Sequence, residues 1–229
     1  MTPTQAPTRL ALFDLDHTLL PLDSDYHWAD FLARNGHNGD PAKARATNDA
    51  IMQRYDEGKL SATESAEFML GMLARNTPYD LARWHETFMA EVIRPAITPQ
   101  AIALVRNHLE AGDLCVVATS TNSFVVGPIV RAFGITHLLA TDPEYVNGRY
   151  TGRFVGTACF REGKVTRLDA WLKTLGRDLA SFDESVFYSD SMNDVPLLEV
   201  VTTPVATNPS PTLRALAQER NWRITDLFA

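Results

Sequence analysis

The chain has 229 residues, 45% hydrophobic and 21% charged, enough for one α/β domain with a modest insertion and ordinary for a globular protein. Its formal net charge of -7 disfavours a nucleic-acid partner, because no basic stripe offsets phosphate repulsion. The polar opening Met1-Thr2-Pro3-Thr4-Gln5-Ala6-Pro7-Thr8 lacks a signal-peptide core, and no apolar run reaches the roughly 18–20 residues that span a bilayer. Cys115 lies in an apolar run and Cys159 in a loop, without metal-type spacing, so the expectation is a reduced, cytoplasmic protein with no membrane partner.

Leu10-Ala11-Leu12-Phe13 reads as a short buried parallel strand ending at Asp14. From about Leu22 to Pro95 the spacing turns helical, with breaks at Asn35-Gly36, Gly39-Asp40-Pro41, Glu57-Gly58 and Asn76-Thr77-Pro78, predicting three or four helices. Thr98-Pro99 caps a helix that stops at Gly112, and Leu114–Ala118 forms the second strand, ending at Thr119. A helix over Phe124–Phe133 follows, closed by Gly134, and Asn147-Gly148 between β-prone flanks signals a hairpin. Residues 164–175 read as an amphipathic helix. Ser185–Tyr188 and Thr203–Ala206 are the third and fourth strands, and Ser210-Pro211 opens the last helix. This alternation predicts an α/β fold, a doubly wound parallel sheet with a Rossmann-like core and an inserted α-helical cap. The predicted division is a core of residues 1–20 and 96–229 and a cap of residues 21–95.

Asp14, Thr119 and Asp190 each fall at the carboxyl end of a predicted buried strand, where an open parallel sheet binds ligands. Asp14-Leu15-Asp16-His17-Thr18 sets two carboxylates two residues apart, so that one can serve as nucleophile and the other as proton donor. The bland alternative is a capped loop with solvated acids. Ser189-Asp190-Ser191-Met192-Asn193-Asp194 adds two acids over one turn, which suits either a hard-cation site or helix capping. Four carboxylates in one crevice repel, and a divalent cation resolves the conflict, with Lys164 and Thr119 donating to a bound phosphoryl group. Oxygen donors without clustered thiolate or imidazole favour Mg²⁺ over zinc.

These residues resemble the haloacid dehalogenase superfamily of phosphatases. Asp14-Leu15-Asp16-His17-Thr18 matches the first motif of that family, Thr119 the second, Lys164 the third and Asp190 with Asn193-Asp194 the fourth. An insertion between the first two motifs resembles the branch that contains phosphoserine phosphatase. Ser189 and Ser191 stand where glycines often flank the fourth-motif aspartate, and Thr119-Ser120-Thr121 replaces a Ser-Gly pair. The resemblance implies Asp14 as nucleophile and Asp16 as acid and base. It also implies a Mg²⁺ site of Asp14, Asp16, Asp190 and Asp194, and phosphate contacts from Thr119, Ser120, Lys164 and Asn193. Asp23 matches a position that carries an acid against a substrate ammonium, with helix capping as its plain alternative.

The insertion sets specificity, since the core motifs touch only the phosphoryl group. Between Pro21 and Ile97 there are 12 acidic and 8 basic residues, which favours a substrate with a cationic end. Phe13–Leu20 followed by Asp23-Ser24-Asp25 also resembles bacterial histidinol-phosphate phosphatases. The expected partner is therefore a small-molecule phosphate ester, histidinol phosphate first. Phosphoserine is second, needing an arginine such as Arg34, Arg45 or Arg54 for its carboxylate. Two other classes stay in view: a phosphotransferase or mutase that excludes water, and a non-catalytic ligand-binding relative.

Overall fold

A computed structural model of the chain describes residues 7–56, 59 and 61–228. The polar residues at the very N-terminus and the break at Glu57-Gly58 lie outside the described residues. In chain order the elements begin with β1 (Arg9–Phe13), α1 (Ser24–Arg34), α2 (Pro41–Asp56), α3 (Ala62–Ala74) and α4 (Pro78–Phe88). A widened π turn at Met89–Ile93 leads to α5 (Arg94–Ala96), where Pro95 can donate no backbone hydrogen bond. Then come α6 (Pro99–Glu110), β2 (Leu114–Asn122), α7 (Ser123–Ala132), β3 (His137–Val146), β4 (Arg149–Val155) and α8 (Glu162–Thr174). The chain closes with β5 (Glu184–Ser189), α9 (Val195–Leu198), β6 (Thr203–Thr207), α10 (Pro211–Glu219) and β7 (Arg223–Thr225).

The seven strands form one sheet in the order β4-β3-β2-β1-β5-β6-β7. All pairings are parallel except β3 with β4. Strand β1 is central, with Leu12 opposite both Val116 of β2 and Phe187 of β5. Its side chains alternate between two apolar cores. Ala11 and Phe13 join Val117, Tyr188 and helical residues such as Trp28, Phe31, Leu70 and Phe88. Leu10 and Leu12 join Val116, Phe187, Leu168 and Leu198 on the other face. Because both faces are covered, the strand reads as an uninterrupted apolar run. At about 25 cal/mol per Å² of apolar area, these two layers are the main source of stability.

Sequence rules place the helix starts well. Asp23, Ser61, Thr77, Thr98, Asn122 and Ser210 each cap a helix through a side-chain oxygen. Three differences from the sequence expectation stand out. Strand β2 runs past Thr119 to Asn122, with a register shift after Ala118. Strands β3 and β4 form the hairpin signalled at Asn147-Gly148, but β3 begins as early as His137, where its buried stretch is too short to read as a strand. Strand β7 has three residues, none of them buried. Helix α3 lies close over β4, where a Cβ added to Gly152, at φ +87°, would meet Ala74 at 3.5 Å.

Candidate active site

The carboxyl ends of β1, β2 and β5 open into a cavity of about 570 Å³, walled on its other side by residues of α1, α2 and α3. This is the switch point of the sheet, where chains leaving β1 and β5 diverge. Asp14, Asp16, Asp23, Thr119, Ser120, Lys164, Asp190, Asn193 and Asp194 all line it, so the structure gathers every candidate residue named from sequence.

At the sheet edge a buried ion triad forms. The Lys164 ammonium donates to Asp14 Oδ1 at 2.8 Å and lies 2.6 Å from Asp194 Oδ1. Burial opposes its charge, yet the two carboxylates more than offset that and hold its pKa above the usual lysine value. Burial raises the Asp14 pKa above the usual carboxylate value, and Lys164 offsets only part of that rise. Asp194 is fixed further by Ser189, whose hydroxyl donates at 2.7 Å, and its pKa is pushed up to about 6, chiefly by burial. It therefore faces Lys164 as a counter-ion. Thr18 Oγ1 lies 3.3 Å from Asp14 Oδ2 and 3.1 Å from Asp190 Oδ1, bringing these two acids around one hydroxyl. Burial, then Asp14 and Asp194, push Asp190 up to about 8.

Asp16 points the other way, toward the helical wall. It accepts from the Ser24 N–H and hydroxyl, both at 3.0 Å, and from the Thr121 hydroxyl at 2.8 Å. Burial and then Asp23 raise its pKa to about 7, the range for exchanging protons near neutrality. Asp23 caps α1 by accepting the Tyr26 N–H at 2.7 Å and also lines the cavity, so capping and cavity placement coexist. Of the remaining candidates, Thr119 Oγ1 accepts the Thr121 N–H at 3.3 Å, and the Ser120 carbonyl accepts from Thr141. Asn193 Oδ1 accepts from Arg161 Nε at 3.1 Å.

Five participants were not assigned to the site from sequence. Ser24, Thr121 and Asn122 are ordinary polar residues until the fold brings β2 against α1. Asn122 accepts the Val125 N–H at the start of α7 and aims its amide at Asp25 Oδ1, 3.1 Å away. Asp25 lines the cavity, and burial followed by repulsion from Asp23 and Asp16 raises its pKa well above the carboxylate range. The fifth, Asn208, sits at φ +47° beyond β6 and donates to the His17 and Thr18 carbonyls at 2.9 and 3.2 Å. Its side-chain oxygen accepts the Leu227 N–H at 2.6 Å, tying the loop after β1 to the C-terminal segment. An Asn-Pro directly after a strand end was its available signal.

The geometry agrees with what the chain is similar to. The family model for haloacid dehalogenase-like hydrolases matches residues 11–199. The chain belongs to this family. A histidinol-phosphatase of Neisseria meningitidis serogroup C is 43% identical over 94% of this chain and 97% of its own length. A phosphoserine phosphatase of Mycobacterium tuberculosis is 31% identical over 96% of this chain and 71% of its own. A crystal structure of a protein of unknown function from Bordetella pertussis Tohama I superposes with a TM-score of 0.95 at 64% identity, covering 97% of this chain and all of that one. Membership in this family together with these relatives makes the chain a phosphatase by class.

Proposed function

We propose that this enzyme is a Mg²⁺-dependent phosphomonoesterase that cleaves L-histidinol phosphate through a phosphoryl group carried on Asp14. The observation that carries the choice of ester is the charge of the cavity. Among the described residues lining it there is no arginine, and its one lysine, Lys164, is already shared by Asp14 and Asp194. Arg34 and Arg45 pair with Asp30, and Arg54 with Glu64, away from the lining. A phosphoserine carboxylate would therefore be buried against acids without a counter-ion, at a cost of several kcal/mol. Histidinol phosphate has no carboxylate, and its ammonium and imidazole N–H suit Asp23 and Asp25. The relative that acts as a histidinol-phosphatase supports the same reading.

In this reading Asp14 Oδ attacks phosphorus while Asp16 gives its proton to the leaving alkoxide oxygen. Water then attacks phosphorus of the aspartyl phosphate, Asp16 takes its proton, and Asp14 and inorganic phosphate are released. The pKa of about 7 at Asp16 fits both directions of transfer. Lys164 and the Thr119–Ser120 segment hold phosphoryl oxygens, with Asn193 at the rim. Asp194 keeps Lys164 in place.

The donors at the sheet edge suit a hard cation: the Asp14 and Asp190 carboxylates converge on Thr18, and the charge of Asp14 helps to raise the pKa of Asp190. Among the described residues no three acid, imidazole or thiol side chains surround one point. Magnesium requires no such cage, since one or two carboxylates with waters and substrate phosphate suffice. Asp14, Asp190 and the Asp16 main-chain carbonyl would hold it, and when bound it offsets charge on the phosphoryl oxygens. We place the hydrolysis in the cytoplasm, supported by two unpaired cysteines and by the lack of any single helix among the described residues long and apolar enough to cross a membrane. We also propose that the helical segment before α6 acts as the cap that selects the ester.

The test is phosphate release from histidinol phosphate with and without Mg²⁺, for wild type and Asp14→Asn. The expected outcome is metal-dependent turnover that falls by at least about 10⁴-fold in the variant, with a phosphoryl group trapped on Asp14 in quenched wild-type enzyme. Turnover that survives the substitution would contradict the reading.

A further inference from the structure

Arg161, just before α8, has the backbone angles φ +50° and ψ −122°, a conformation that favours glycine. The turn around it has little freedom. Phe160 N–H bonds the Ala158 carbonyl at 2.9 Å, Gly163 N–H bonds the Phe160 carbonyl at 2.8 Å, and a Cβ at Gly163 would sit 2.1 Å from Ala158 O. A large cationic residue thus occupies a position where glycine would be relaxed. Backbone strain of this kind persists where the surrounding structure over-determines it, and it clusters at ligand-binding sites.

The side chain is anchored to the cavity rim. Its Nε donates to Asn193 Oδ1 at 3.1 Å, and its guanidinium lies 5.0 Å from the Phe160 ring centroid. Asn193 and Phe160 both line the cavity, while Arg161 itself is exposed. Behind this rim the lining carries six aspartates and one lysine, a field that repels an incoming phosphate. Lys164, three residues further along the same turn and helix, is buried and already paired with two of those acids.

We propose that Arg161 is a substrate-binding residue that captures the phosphate group at the rim and delivers it to Lys164. Its planar fork suits phosphate, and with Nε spent on Asn193 the two Nη groups carry the remaining donors. The role rests on the phosphomonoesterase reading of the cavity, but phosphate capture can be scored without turnover.

Two variants separate the guanidinium from the backbone. Arg161→Ala removes the charge and keeps the strained Cβ, whereas Arg161→Gly removes both. The full chain with Mg²⁺ is titrated with inorganic phosphate by calorimetry, KM and kcat are measured on p-nitrophenyl phosphate, and Tm is recorded. Both variants are expected to weaken phosphate binding and raise KM by about 10-fold, with kcat within about threefold. Only Arg161→Gly is expected to gain stability, by about 2–4 °C in Tm, giving a variant that is firmer yet poorer at binding. Added salt is expected to lower kcat/KM less in both variants than in wild type. Wild-type phosphate affinity and KM in the two variants would overturn the proposal and leave the strain as a device that merely aims α8. If wild type binds phosphate in an Arg161-dependent way but hydrolyses no ester, the proposed function falls and this inference stands. If wild type binds no phosphate, the inference falls with it.

Discussion

At the sheet edge of the cavity Asp14 and Asp194 share the Lys164 ammonium at 2.8 and 2.6 Å. At the helical wall Asp16 and Asp25 have hydroxyl, main-chain N–H and amide partners but no cation within bonding distance among the described residues, and Asp23 adds a third charge that raises them both. The first arrangement contains a cation of its own, and the second holds Asp16 and Asp25 through neutral donors. In the proposed function that contrast divides the work: one end would hold a phosphoryl group whatever ester it comes from, and the other would choose the alcohol.

The contrast breaks most sharply at Lys164. Lys164→Met is expected to lower kcat by about 10²–10³-fold on every ester, since it removes a donor to the developing charge. It is also expected to cost about 3–5 kcal/mol of stability in urea unfolding, because it strands two buried carboxylates. An undiminished kcat would show that the triad is structural only. The opposite stability effect is expected at the helical wall. Asp25→Asn keeps an acceptor for Asn122 and removes a charge repelled by Asp16 and Asp23, so Tm is expected to rise by about 2 °C at pH 8. KM for histidinol phosphate is expected to rise about 10-fold while that for p-nitrophenyl phosphate stays within about twofold. Equal losses on both esters would erase the division between the two ends.

A smaller effect concerns acidity. Asp16, Asp194 and Asp190 have folded pKa values of about 7, 6 and 8, all above the 3.8 of an exposed aspartate. The metal-free native state therefore binds protons that the unfolded chain has lost, and this stabilisation is full below pH about 4 and disappears as pH rises through 8. Saturating Mg²⁺ is expected to raise Tm by about 5 °C at pH 8 and by almost nothing at pH 5, where the carboxylates are protonated. Equal shifts at both pH values, read by differential scanning calorimetry, would place the metal away from these acids.

The same contrast explains what was readable in the sequence. The sheet edge was legible because β1 and β5 are short apolar runs that end in acids, so Asp14 and Asp190 are located by strand ends alone. Lys164 followed from its place at a helix start. The helical wall was less legible, because its polar partners are set by packing between distant elements. Thr121 and Asn122 reach Asp16 and Asp25 only because β2 continues beyond Thr119 and α7 fixes the Asn122 amide. Asp25 reads locally as a first-turn acid of α1, and nothing near it in sequence reveals that it faces a cavity. Asn208 depends on a left-handed backbone and a partner loop some 190 residues away.

The most direct test of the division is the ratio of kcat/KM for histidinol phosphate to that for phosphoserine, measured with Mg²⁺ on the wild-type enzyme. The two esters present the same phosphoryl group to the sheet edge and differ at the helical wall, where a carboxylate would meet Asp23 and Asp25 without an arginine. A preference of at least about 100-fold for histidinol phosphate is the expected result. Equal values, or a preference for phosphoserine, would contradict the claim that the acids of the helical wall choose the substrate.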